Sequence, residues 1–150
     1  MTLLANSELV AAAWLVQRAG FTSGQVASTL PPDVDAWRAA GFVTVAALPG
    51  GLAEVDTPQW RRPVVQVDCW AAPVSSGGQR PQWNLAAQLA ERVRAATEAQ
   101  TYGSAVTMPT GYGGARVQAV YLTVEPRRVV DDVAGFARFT IDLAVDWVKV

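Results

Sequence analysis

The sequence has no histidine, one cysteine and one lysine among its 150 residues, and each shortage removes a class of function. Without histidine, Ser-His-Asp and Cys-His catalysis are both excluded. No Cys/His set exists to hold zinc, and Cys69 alone cannot close an internal disulfide. Long apolar runs are also missing: the longest is Leu9 to Val16, whereas a bilayer-spanning helix needs about 20 residues. The first charge is Glu8, so no basic region precedes that run, as a secretory signal requires. The expectation is a soluble protein, cytosolic where it is made, with no membrane contact.

An excess of either charge is missing as well. The net charge is −1 and the isoelectric point is about 5.3. Phosphate contacts by clustered Lys and Arg supply most non-specific nucleic-acid affinity. Here the basic residues cluster only as the pairs Arg61-Arg62 and Arg127-Arg128. A dedicated DNA-binding surface is not expected.

What is present is apolar patterning. Hydrophobic residues make up 51% of the chain and mean hydropathy is +0.16, so the chain is globular rather than disordered. Its length fits one domain, residues 1–150. Asn6-Ser7-Glu8 opens and Gly20 closes a helical period over residues 8–19, with Leu9, Ala13 and Val16 expected on the buried stripe. Between Phe21 and Gly41, Pro31-Pro32 breaks the chain and Asp33 heads a short turn carrying Trp37. Phe42 to Leu48 reads as a strand. Pro49-Gly50-Gly51 then turns it towards a second strand over Leu52 to Val55, a hairpin. Pro58 to Pro63 reads as a loop.

Val64 to Ala71 alternates, with Val65, Val67 and Cys69 on one face and Gln66, Asp68 and Trp70 on the other. Cys69 is therefore core filling. Pro73 to Pro81 is a linker. Asn84 to Gln100 is the clearest helix, with Leu85, Leu89 and Val93 joined on its stripe by Ala86, Ala90 and Ala96. Glu91, Arg94 and Glu98 stand at neighbour spacings on its outer side. Gln100 to Gly114 reads as a loop, and Arg116 to Glu125 as a strand. Phe136 to Val148 follows as a second long strand, in which Phe139, Ile141, Leu143, Val145 and Trp147 point one way. Arg138, Thr140, Asp142 and Asp146 point the other way, towards water. The fold class is α+β: a mixed or antiparallel sheet with two main helices packed on it.

Candidate chemistry is thin. Gly111-Tyr112-Gly113-Gly114 lacks the third small residue of a dinucleotide loop and opens a strand, not a helix. Asp142 and Asp146 lie four strand residues apart, about 13 Å, wider than the roughly 5 to 9.5 Å of glycosidase carboxylate pairs. Asp131-Asp132 beside Arg127-Arg128 fits a loop salt bridge or a subunit contact better than a metal site. Catalytic, cofactor and metal residues are therefore none. Trp60, Trp70 and Trp83 lie near arginines in or beside loops. They fit either a protein interface, which favours Trp and Arg, or packing over the sheet edge.

Several stretches together resemble tail terminator (tail completion) proteins of long-tailed phages, minor tail proteins found especially in phages of actinobacterial hosts. They are Val43-Thr44-Val45 with Leu48-Pro49-Gly50-Gly51, then Pro63 to Ala71, then the Gly/Ser break and the Ala-rich helix. The closing unit is Arg127-Arg128-Val129, Asp132 and Ala137 to Asp142. The resemblance covers about residue 34 to the C-terminus in element order. It implies a hexameric ring on the head-proximal end of the tail tube that ends tube polymerisation and meets the head's neck proteins, with genomic DNA passing through unread. It implies no catalytic residues.

On that basis the interface residues are expected among Trp60, Arg61, Arg62, Arg127, Arg128, Asp131, Asp132, Arg138, Asp142 and Asp146. The alternatives are a head-closure or neck protein, a tail-tube subunit, and a small enzyme working with carboxylates alone.

Overall fold

A computed structural model of the chain describes residues 1–49, 60–78, 80–130 and 135–150. The expected hairpin return at Leu52 to Val55, and Asp131 and Asp132, lie outside them.

Helix α1 spans Ser7–Arg18. Asn6, in extended conformation, accepts from the Leu9 amide at 2.9 Å and so satisfies one of the free N–H groups of the first turn. Glu8 stands in the first turn and Arg18 in the last, both favourable to the helix dipole. The helical period is as expected but its phase is offset by one residue. Val10, Ala11, Trp14 and Leu15 are buried, while Leu9, Ala13 and Val16 are only partly covered. Trp14 decides this: a side chain of that size gains most from full burial, and it is 1% exposed.

Among the described residues seven strands make one sheet. They are β1 (Val26–Ala27), β2 (Phe42–Ala47), β3 (Trp60–Arg61), β4 (Val64–Ala71), β5 (Ser104–Val106), β6 (Ala115–Val129) and β7 (Ala137–Lys149), in the order β1-β2-β4-β7-β6-β5 with β3 beside β7. All pairings are antiparallel except β1 with β2. The expected loop from Pro58 to Pro63 therefore contains a short strand, and β3 and β4 share one lane along β7. The break between them falls at Pro63, which has no N–H to give but accepts from the Val145 amide at 3.0 Å. The expected loop from Gln100 to Gly114 likewise contains β5.

Helix α2, Trp83–Glu98, lies across β4, β6 and β7. Ala86, Leu89, Ala90, Val93 and Ala96 are buried beneath it, so the small side chains let it sit close to the sheet. At Gly41 the backbone has φ of 76°, and an added Cβ would lie 2.5 Å from Leu89 Cδ1 and 2.9 Å from the Trp70 carbonyl. Only glycine fits there. On the outer side Arg94 pairs with Glu91 and Glu98, and its hydrogen bond holds the Glu91 carboxyl below the usual carboxylate range.

The main core lies between the helices and one sheet face. It includes Val43, Val45, Val65, Val67, Cys69, Ile141, Leu143, Val145 and Trp147. Burial pushes the Cys69 thiol well above its ordinary value, and the neighbouring Asp68 charge adds to this. The Trp147 indole N–H, deep in this layer, donates to Ser7 Oγ at 3.1 Å. Among the described residues no helix is long and apolar enough to cross a membrane.

Candidate interaction face

The sheet face away from the helices is built from alternate residues of β4, β6 and β7. Cross-strand register places Asp68 opposite Thr140, Gln66 opposite Asp142, and Arg127 opposite Thr140 from the other side. Three aspartate–arginine pairs result. Arg62 Nε donates to Asp146 Oδ1 at 2.9 Å, Arg138 lies 3.5 Å from Asp68 Oδ2, and Arg127 lies 3.8 Å from Asp142 Oδ2. Gln66 also donates to Asp68 Oδ2 at 3.0 Å.

This face was expected to be wet, and it is so only in part: Arg62 and Arg127 are exposed and Arg138 and Asp142 half-buried, but the shorter side chains lie beneath them. Thr140 is 3% exposed and Asp146 6%. Long side chains from neighbouring strands fold over the shorter ones, so the arginines shield the aspartates. Asp68 Oδ1, Thr140 Oγ1 and Asp142 Oδ1 are buried with no hydrogen-bond partner among the described residues, an arrangement that costs about 1–3 kcal/mol per group.

Of the residues expected to form an interface, Arg62, Arg127, Arg138, Asp142 and Asp146 therefore come together on this face. Arg128 does not: it is paired with Phe139, a residue of the helix-side face, and its guanidinium lies 4.6 Å from the Trp83 ring. Trp60 and Arg61 pair with Val148 and Trp147 at the far end of β7. Trp70 and Trp83 pack on the sheet. Trp70 donates to Thr44 Oγ1 at 3.0 Å beneath Arg138, and Trp83 meets Phe139 edge-on at 6.2 Å. Asp68 is the member that strand alternation alone did not single out. Its signal was a carboxylate in mid-strand between the core residues Val67 and Cys69, a position that demands a cationic partner.

The lateral edge at β6 is half protected. β5 covers Ala115 to Val117, the Gly103 amide donates to the Gln118 carbonyl at 3.1 Å, and the Gln100 side chain bonds both backbone groups of Val120 at 2.7 Å. From Leu122 to Val129 no described strand lies on the outer side. This stretch carries Glu125, Pro126, Arg127 and Arg128, residue types that discourage indiscriminate strand pairing, but also the exposed apolar residues Tyr121 and Val124.

At the same end of the sheet, the segment around a short 3-10 turn (Val34–Ala36) and the loop after Ala72 enclose a cleft of about 450 Å3 lined by Asp33, Asp35, Arg38, Ser75 and Phe136. Arg38 is held there, with Nε 3.1 Å and NH2 2.9 Å from Asp35 Oδ1. Asp33 is exposed. Among the described residues no cluster of three or more acidic or cysteine side chains is arranged to hold a metal ion.

No protein-family model matches the sequence, and no curated protein matches it. Among solved structures, the fold is similar to a chain in the virion of a native gene transfer agent particle. The TM-score is 0.45 and the identity 12%, over 97% of this chain and 87% of that one. A second solved protein, without a descriptive name, has a TM-score of 0.40 and 16% identity, over 93% of this chain and 95% of that one.

Proposed function

We propose that this chain is a structural assembly protein of a phage-type particle, one domain over residues 1–150. In this reading copies form a hexameric ring that caps the head-proximal end of the tail tube, stops its growth and presents a surface for head–tail joining. Its partners are further copies of itself, the tail-tube protein and the neck proteins. Genomic DNA passes through without specific recognition, and no catalytic role or cofactor is assigned.

The observation that carries this reading is the β6 edge from Leu122 to Val129, open among the described residues, beside a sheet face of three aspartate–arginine pairs. Such a pairing of free strand edge and fixed charges suits contact between chains. The sequence resemblance to tail terminators, in which this same β6–β7 unit takes part, supports the finer assignment. Trp60, Arg61, Arg62, Arg127, Arg128, Asp131, Asp132, Arg138, Asp142 and Asp146 are proposed as contact residues.

Electron microscopy of the purified protein, alone and mixed with tail tubes, tests the proposal. A six-fold ring at one tube end is the expected result, and a monomer that ignores tubes would overturn it. Long self-assembled tubes would mark a tube subunit instead, and rings that bind only portals a neck protein.

A further inference from the structure

One row of register partners crosses the sheet at the end where β7 begins: Phe42 of β2 faces Trp70 of β4, Trp70 faces Arg138 of β7, and Arg138 faces Val129 of β6. The row is four strands wide, about 14 Å at the usual interstrand spacing. Its two ends differ in charge. Beyond Phe42 lies the acidic turn: Trp37 packs on Phe42 at 5.9 Å and on Phe136 at 6.1 Å, which fixes Asp33 and Asp35 over the cleft. At Val129 lies the basic edge, where Arg127 and Arg128 are both exposed. Asp33 has no side-chain partner among the described residues, and Asp35 remains 77% exposed although paired with Arg38.

We propose that the Arg127–Arg128 edge of one copy docks on the Asp33–Asp35 turn of the next. The occupant of the cleft is thus a second copy of this chain, and the contact is head-to-tail. Opposite charges select it, and like charges oppose edge-to-edge or turn-to-turn contact. The turn packs beside β2 and the basic edge belongs to β6, on opposite sides of the sheet, so each copy can engage one neighbour with its turn and another with its edge. Such a repeat gives a ring where the rotation between copies closes and a filament where it does not. The exposed Tyr121 and Val124 on the same edge supply the apolar part of the contact.

This inference rests on the ring reading, and the test separates the two. Three proteins are compared by native mass spectrometry and negative-stain microscopy: wild type, Asp33→Lys/Asp35→Lys, and Arg127→Glu/Arg128→Glu. Wild type is expected to form rings and each double variant to remain monomeric. Mixing the two variants in equal amounts restores rings, because each then meets a neighbour of opposite sign on both sides. Circular dichroism melts identify a variant that does not fold. Asp33→Lys alone, which leaves the Asp35–Arg38 pair intact, serves in that case and is expected to weaken assembly at least tenfold. Wild-type rings that survive both reversals, or folded variants that do not assemble when mixed, overturn the docking inference and leave the ring reading standing. A wild type that is monomeric alone and with tail tubes overturns both.

Discussion

Gln100 acts towards Val120 as a strand would: its side-chain amide donates to the Val120 carbonyl and accepts from the Val120 amide, both at 2.7 Å. One residue beyond the end region of α2 thus takes the place of a neighbouring peptide and brings edge protection of β6 to a stop at Val120. Gln100→Leu removes both bonds at once. We expect a loss of about 1–2 kcal/mol and roughly tenfold faster hydrogen exchange at the Val120 amide. Unchanged exchange there would show that the glutamine only decorates the edge.

The three aspartate–arginine pairs are not equivalent. The arginines are alike in exposure, 45% for Arg62 and 47% for Arg127, and so are the aspartates, 9% for Asp146 and 13% for Asp142, but Arg62 Nε is 2.9 Å from its carboxylate and Arg127 3.8 Å. Removing Arg62 leaves a buried carboxylate without that partner, a loss of about 2 kcal/mol for Arg62→Ala. Arg127→Ala should cost less than about 1 kcal/mol, because at 3.8 Å the pair lies beyond hydrogen-bond distance. Urea unfolding of the two variants gives the order, and equal losses would contradict it.

Gly41→Ala combines a left-handed backbone with a Cβ pressed against Leu89 and the Trp70 carbonyl. The expected cost is about 2 kcal/mol or more, a fall in Tm of roughly 5 °C or more for a chain of this size. Ala at Gly24, where nothing lies within 4 Å and φ is ordinary, is the control and should leave Tm within about 1 °C.

Cys69 has its thiol pKa raised by burial from an ordinary 9.0. The folded state keeps the proton while the unfolded chain loses it, so this group's contribution to stability is whole below pH 9. It declines as the pH climbs towards the folded value, by about 1.4 kcal/mol per unit. The stability gap between wild type and Cys69→Ala should therefore narrow between pH 8 and pH 10. Thiol reagents should label Cys69 only in denaturant. A gap independent of pH, or rapid labelling of the native protein, would contradict the placement.

Much of this architecture is legible in the sequence, for a physical reason. Where one face is dry, period and register follow from burial, so the β4 and β7 alternations and the small-residue stripe of α2 can be read directly. α1 was legible in period but not in phase, because Leu9, Ala13 and Val16 form as good a stripe as Val10, Ala11, Trp14 and Leu15 until the sheet beneath is known. The second face of β7 misled. Alternation shows that Thr140 and Asp146 point away from the main core, but not that arginines from other strands fold over them. The Asp33–Asp35 turn was read as local punctuation, because only the cross-strand row from Phe42 to Val129 relates it to the basic edge. β3 and β5 are too short to leave a pattern of their own.

The place of β7 in the sheet sets the order of assembly. It is last in the chain yet lies between β4 and β6, with β3 also on its flank. On the ribosome the first half of the sheet can gather only β1, β2 and β4, with the inner edge of β4 bare. Closure waits until residues 137–149 have left the exit tunnel. The folding rate is then governed by encounters across about half of the chain length. A chain interrupted before that strand would expose two unpaired edges and much of the core, the kind of surface that chaperones and proteases recognise.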